Sequence, residues 1–297
     1  MSLRIGVVGI GNMGRPMAAC LLRAGHDVLV SDSRRETAEA FVREVGGAAP
    51  AKLHDLAAAS DVLITMLPTS AILETVLGEM LPALRTGSLV IDMTSGIPSV
   101  TRRLAATVAG SGSAMIDAPV SGGVARAKTG TLAIMVGGED GDVTRARPVL
   151  EAMGSTITVC GGIGAGQAMK ALNNLVSAGG FLIGIEALLI GQEFGLDPGL
   201  MTDVLNASTG MNNSTQKKFR QFVLSRNFAS GFGLDLMVKD LSIAMQIARD
   251  GDIPAPFASA CRELWAAASS MLGPGQDHTA IAKLSERLAG RELQEQG

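Results

Sequence analysis

Aromatic side chains and charge of one sign are both scarce in this 297-residue chain. Aromatics make up 3% of the residues and tyrosine is absent, which excludes the stacking platforms that single-stranded nucleic acids use. Lys+Arg number 25 against 28 Asp+Glu, a net charge of −3. No basic excess therefore marks nucleic acid or an anionic membrane as a partner. The three cysteines, Cys20, Cys160 and Cys261, are odd in number and far apart, which argues against a disulfide framework and a zinc site. His26, His54 and His278 stand singly and read as scattered structural or surface residues, so no metal is expected. The N-terminal MSLRIGVVGIGNMG has no apolar stretch ending in a small-residue cleavage site,. The most apolar run, Leu175 to Ile190, is about 16 residues where ~20 span a bilayer. It contains Ser177 and Glu186 and follows Asn173 and Asn174, so it reads as a buried core helix. The expectation is a soluble, cytoplasmic protein without a membrane partner.

What is plentiful is apolar side chains, at 47%, and glycine, at 37 residues. The first composes a globular core. Glycine, at about 12% against a usual ~7%, serves many separate backbone positions. In the first half, short apolar runs alternate with amphipathic stretches. Strands are expected at Leu3–Val8, Val28–Ser31, Val62–Leu67, Leu89–Asp92, Ala114–Asp117, Leu132–Gly137 and Ile157–Cys160, with helices such as Met13–Ala24 and Glu36–Val45 between them. Near-continuous apolar strands alternating with helices predict a parallel sheet covered on both faces. From about Gly164 onward only helical patterns remain: Ala165–Phe194, Gly199–Ala207, Ser214–Ser225, Leu234–Arg249, Phe257–Ser270 and Ala280–Gly290. The predicted fold is α/β: a Rossmann-type doubly wound domain, residues 1–162, followed by an all-helical domain, residues 163–297.

Gly9-Ile10-Gly11-Asn12-Met13-Gly14 is a GxGxxG loop that follows an apolar strand and opens an amphipathic helix. The first glycine allows a tight turn, the second close backbone approach to a pyrophosphate, and the third close packing of helix on strand. The helix start offers free N–H groups to the phosphates. Asp32 lies 18 residues past Gly14, where an acidic residue bonds the adenosine ribose and repels a 2′-phosphate. That points to NAD. Arg34 and Arg35 follow at once and keep NADP open, since arginine holds a 2′-phosphate.

Asp117-Ala118-Pro119-Val120-Ser121-Gly122-Gly123 follows the fifth expected strand and offers a hydroxyl and two glycine N–H groups to a small carboxylate; a plain glycine turn is the simpler alternative. Lys170, Asn173 and Asn174 lie on one helix at spacings of three and four, which puts them on a shared face. A lysine in an apolar helix is costly to bury. Desolvation of an amine favours its neutral form, which suits proton transfer.

These residues carry a resemblance over essentially the whole chain. The pattern GxGxMGxPMAxxLxxAGH from Gly9 to His26, DAPVSGG at 117–123, GTLAIMVGG at 130–138, GxGxxxKxxNN at 164–174 and Lys239-Asp240-Leu241 stand in order. The chain resembles the β-hydroxyacid dehydrogenases, the group of 3-hydroxyisobutyrate dehydrogenase and tartronate semialdehyde reductase. The resemblance implies an NAD(P)-dependent enzyme acting on the CH–OH group of a small β-hydroxyacid or on its semialdehyde. It implies Lys170 as the catalytic proton donor and acceptor, Asn174 as its orienting partner, and Ser121, Gly122, Gly123 and Lys239 around the substrate. It implies cofactor contacts at Gly9, Gly11, Asn12, Met13, Gly14, Asp32, Leu67, Pro68, Ser95 and Lys239, with Asp240 holding Lys239.

Within that resemblance, 3-hydroxyisobutyrate leads as substrate, and an NADPH-dependent tartronate or succinic semialdehyde reductase is the alternative. Imine reductases share the fold but usually lack a lysine at the Lys170 position. Non-catalytic scaffolds lose it too, and 6-phosphogluconate dehydrogenase has a much larger helical domain. The segment Ser208–Thr215 departs from the SSG turn of many relatives. Lys217, Lys218 and Arg220 read as a solvated face, with an anionic-tail site as the alternative. The ~45 Å length of the long helix and its small apolar stretch Ala178–Gly184 predict a homodimer or homotetramer.

Overall fold

The computed structural model describes Ser2–Gln294. Most of its strands form on short apolar runs: β1 (Arg4–Val8), β2 (Asp27–Ser31), β3 (Val62–Thr65), β4 (Leu89–Asp92), β5 (Ala114–Asp117) and β7 (Leu132–Gly137); β8 (Gly154–Gly161) is largely exposed, and β6 (Val120–Ser121) has two residues. They make one sheet in the order β2-β1-β3-β4-β5-β7-β6, with β8 paired to β7. Alternate side chains serve opposite faces. Ile5, Val7, Ile64 and Ile91 enter one core with the Gly14–Arg23 and Asp140–Glu151 helices. Val8, Leu63, Val90 and Met115 enter the other, under the Ser70–Met80 and Pro98–Gly110 helices. Helical cover on both faces is why the middle positions of these strands are apolar on either side.

The sequence predicts a parallel sheet throughout, and the structure corrects this at one edge. β7 runs antiparallel to β5 and β6, while β8 returns parallel to β7. Between β5 and β7 lie β6 and the short Gly123–Thr129 helix, and the chain turns back so that β7 pairs antiparallel with β6. β1 lies between β2 and β3. The chain therefore leaves β1 toward opposite sides, creating the switch point where open α/β sheets bind ligands.

The chain divides into two compact units, one up to Lys170 and one from Ala171 onward; the long helix Ala165–Phe194 runs through the division. The second unit is helical. Its core holds Phe181, Ile185, Leu188, Phe219, Leu241 and Trp265. Phe181 meets Phe219 edge-on at 5.4 Å, and Trp265 stacks on His278 with ring centroids 6.3 Å apart. Asp277 ties this core to the loop before the Leu234–Asp250 helix. Its carboxylate accepts from Ser230 Oγ, Gly231 N, Phe232 N and Thr279 N. Burial raises the Asp277 pKa, and the hydrogen bonds from His278, Thr279 and Ser230 more than reverse this, leaving it below the usual carboxylate range. Burial pushes the neighbouring imidazole of His278 down.

Two helical expectations change. Ser214–Ser225 is not one helix but a short helix, Asn213–Lys217, followed by a widened turn, Phe219–Leu224. The widening lets Phe219 reach Phe181 beside Gly184, where a Cβ would collide with the Phe219 ring. The long helix is also not a wholly buried core helix. Ala178, Phe181, Ile185 and Leu188 are buried, but Val176 (77% exposed), Ile190 (72%) and Phe194 (84%) lie on an open edge. At 30 residues it is long and apolar enough, by length and composition alone, to cross a membrane.

Candidate active site

The glycine loop sits at the switch point, immediately after β1. Gly9 adopts φ +90°, and a Cβ there would strike the Met66 carbonyl. A Cβ on Gly14 would overlap the Gly9 carbonyl oxygen, whereas at Gly11 it would meet nothing within 4 Å. The first and third glycines thus close turn, helix and strand together, and the second leaves open space. Gly11 and Asn12 are exposed. No side chain caps the helix that follows, whose N-cap position is Met13. Open backbone at an uncapped helix start suits the pyrophosphate of a dinucleotide, so the residues present fit NAD or NADP.

Asp32 directly follows β2. Its Oδ2 accepts from Ile10 N at 3.1 Å and its Oδ1 from Arg34 N at 3.1 Å, which holds the carboxylate beside the glycine loop. Arg35 is engaged with Glu39 at 2.8 Å. On the other side of β1, Leu67 and Pro68 follow β3. Leu67 N donates to Thr94 Oγ1 at 3.2 Å, joining this turn to the one that carries Ser95 after β4. The topology therefore gathers the glycine loop, Asp32, Leu67, Pro68 and Ser95 at the C-terminal ends of four adjacent strands.

Ser121 closes β6 and is half-buried. Gly122 (φ +129°) and Gly123 (φ +67°) are exposed and lie in the left-handed region, where a side chain would strain the backbone.

Lys170 is buried in the second turn of the long helix, and Asn174, also buried, stands one turn on. In the helical unit, Asn174 Nδ2 donates to Asp240 Oδ2 at 2.6 Å, and Asn173 Nδ2 donates to Asn174 Oδ1 at 3.2 Å. Asp240 also pairs with Lys239, Oδ1 to Nζ at 3.3 Å. One buried carboxylate thus links the asparagine to Lys239. Arg220 is held by Asp203 (2.7 Å) and the Gly199 carbonyl (2.8 Å).

Two residues to which the sequence reading gave no role stand at the start of the helix that carries Lys170. Asp92 and Asp117 end adjacent strands, and both are fully buried. Burial lifts each carboxyl to about 6. The available signal was that two neighbouring apolar strands, LVID and AMID, both end in aspartate.

With this geometry in place, comparison with known proteins is decisive. Residues 4–162 match the family described as NAD binding domain of 6-phosphogluconate dehydrogenase, and residues 164–285 that described as NAD-binding of NADP-dependent 3-hydroxyisobutyrate dehydrogenase. The chain belongs to the β-hydroxyacid dehydrogenase family. It is 36% identical over 292 residues to the 2-(hydroxymethyl)glutarate dehydrogenase of Eubacterium barkeri, covering 97% of each chain. It is 35% identical over 270 residues to the mitochondrial 3-hydroxyisobutyrate dehydrogenase of Homo sapiens, covering 88% of this chain and 80% of that one. The structure of the Mycobacterium tuberculosis 3-hydroxyisobutyrate dehydrogenase with L-serine superposes with a TM-score of 0.89 at 34% identity, over 96% and 99% of the two chains. A β-hydroxyacid dehydrogenase transfers hydride between NAD(P) and the CH–OH group of a hydroxyacid, the activity to which this α/β-then-helical architecture belongs.

Proposed function

We propose that this dehydrogenase oxidises the primary alcohol of a 2-substituted 3-hydroxypropanoate, HOCH2–CH(R)–COO−, to its semialdehyde with NAD, and that Lys170 handles the proton. The observation that carries this is a buried lysine one helical turn from a buried asparagine. Hydroxyacid oxidation needs one base at the hydroxyl, in a dry place. When bound, the nicotinamide supplies the hydride acceptor, or the donor in the reverse direction. Lys170 as free amine takes the hydroxyl proton. As ammonium it returns that proton and stabilises negative charge growing on the carbonyl oxygen. Asn174, fixed by Asp240, orients this end of the helix. Ser121, Gly122 and Gly123 receive the substrate carboxylate.

The substrate class rests on chemistry shared by the relatives. 3-Hydroxyisobutyrate, 2-(hydroxymethyl)glutarate and L-serine all contain HOCH2–CH(R)–COO−. The mitochondrial 3-hydroxyisobutyrate dehydrogenases and the Mycobacterium tuberculosis structure among the relatives make 3-hydroxyisobutyrate the first choice. NAD is favoured over NADP by Asp32, whose negative charge beside the glycine loop opposes a 2′-phosphate. A screen at 340 nm with either cofactor against 3-hydroxyisobutyrate, 2-(hydroxymethyl)glutarate, L-serine and glycerate tests both choices. Fastest turnover of 3-hydroxyisobutyrate with NAD supports them. Turnover only of tartronate or succinic semialdehyde with NADPH replaces them with the reductase reading.

The open edge of the long helix supports assembly. Val176, Ile183 and Ile190 recur every seven residues and are exposed, a spacing that suits a paired helix. This edge packs against a second copy in our reading, giving a dimer or tetramer. Light scattering that finds only monomer at micromolar concentration contradicts it.

A further inference from the structure

The helix that carries Lys170 begins on two buried carboxylates. Asp92 and Asp117 stand in register at the ends of β4 and β5. Asp117 Oδ1 accepts from Gly164 N at 2.6 Å, and its Oδ2 accepts from Gln167 N at 2.8 Å. Gln167 is itself buried. Its Nε2 donates to Asp92 Oδ2 at 2.8 Å, and its Oε1 accepts from Thr101 Oγ1 at 2.7 Å. Asp92 Oδ1 is held in turn by Thr65 Oγ1 at 2.8 Å and Thr94 N at 3.1 Å. A Cβ at Gly137 or Gly166 would run into the Asp117 carboxylate, so both glycines are shaped to admit it.

The first N–H groups of a helix usually go to water or to a local cap. Here a carboxylate from a strand takes two of them and sets its charge against the positive end of the helix dipole. Gln167 fixes rotation as well, because its side chain reaches a second strand end and a second helix. Lys170 follows three residues later on the same side of the helix. We propose that Asp117 and Gln167, braced by Asp92, form a clamp that sets the position of Lys170, and that they are positioning residues for proton transfer. This rests on the role given to Lys170 above.

The clamp has a polarity that substitutions can probe. Asn at 117 would turn an amide nitrogen toward a backbone N–H, donor against donor. Glu at 167 would put a carboxylate against Asp92. Adding Asp92→Asn to Gln167→Glu restores the bond with donor and acceptor exchanged.

The test uses the full-length protein. Turnover is followed at 340 nm, NADH affinity by fluorescence, and amide exchange over 164–170 by mass spectrometry. Asp117→Asn is expected to lower kcat about a hundredfold, the scale of an ångström-level misplacement. KM and the NADH Kd should stay within about threefold, and exchange should accelerate over 164–170 but not in β1–β4. Gln167→Glu should lose about tenfold in kcat, recovered when Asp92→Asn is added. Unchanged exchange in Asp117→Asn overturns the clamp. So does loosened exchange with kcat intact, or failure of the double variant to recover. If Asp117→Asn does not fold, the Gln167→Glu pair decides. A wild type inert toward every hydroxyacid refutes the proposed function instead, and exchange alone then upholds or overturns the clamp.

Discussion

Replacing Asp92 with Asn should flatten the pH dependence of stability. Burial lifts Asp92 to about 6, and the bonds from Thr94, Thr65 and Gln167 only partly oppose it. Burial likewise lifts Asp117 to about 6, with the Asp92 charge adding to the rise. An unfolded aspartate titrates near 3.9. Between those values the folded chain holds protons that the unfolded chain has released. The stability these groups confer is therefore complete below the unfolded pKa and is lost as pH rises through about 6. A shift of roughly two units corresponds to about 3 kcal/mol for one group, and the two coupled groups do not simply add. Asp92→Asn removes one acid and relieves Asp117 of its neighbour's charge. The Gln167 amide can turn over to accept from the new amide while its nitrogen meets Thr101 Oγ1, so the packing survives. Urea unfolding followed by circular dichroism from about pH 4.5 to 7.5 gives the readout. Wild type should lose about 2 kcal/mol more than the variant across that range, because at pH 4.5 the unfolded aspartate is still largely ionised. Taking the difference cancels Asp277 and every other unchanged group. Parallel curves, separated by a constant within about 0.5 kcal/mol, would refute the reasoning.

Three other outcomes are expected. Asp32→Ser should raise the NADP-to-NAD ratio of kcat/KM about tenfold or more, or about 1.4 kcal/mol; an unchanged ratio removes Asp32 from cofactor choice. Gly14→Ala, whose Cβ overlaps the Gly9 carbonyl, should weaken NADH binding about tenfold or more in a fluorescence titration, whereas wild-type affinity would contradict the close-packing role. Asp277→Asn should destabilise the helical unit by about 2–4 kcal/mol, read from the single Trp265 stacked on His278. Because the folded Asp277 pKa lies low, its contribution is present above the unfolded value and is lost as pH falls from there through the lower folded value. The loss should therefore shrink in acid.

Patterns that depend on continuous burial could be read from the sequence. Leu89–Asp92, Ala114–Asp117 and Leu132–Gly137 follow their apolar runs, and Ala165–Phe194 lies between Gly164 and Gly195 as the helical pattern predicts. β8 starts at Gly154, earlier than its apolar run, since Ser155 and Thr156 are exposed there and carry no hydrophobic signal. β6 has two residues inside a Gly- and Pro-rich signature, too few to show a period. The antiparallel turn of β7 follows from its pairing with the two-residue β6, which the side-chain pattern does not show. The glycine loop and Lys170 stood out because unusual residue types sat at fixed spacings. Asp117 and Gln167 did not, because their role lies in bonds between residues about fifty positions apart.

The most direct test is turnover of 3-hydroxyisobutyrate with NAD by wild type and by Lys170→Ala, with NADH affinity measured on both. Wild type should turn over, and the variant should lose about 10² to 10⁴ in kcat while binding NADH as before. A variant that keeps its kcat would contradict the assignment of proton transfer to Lys170.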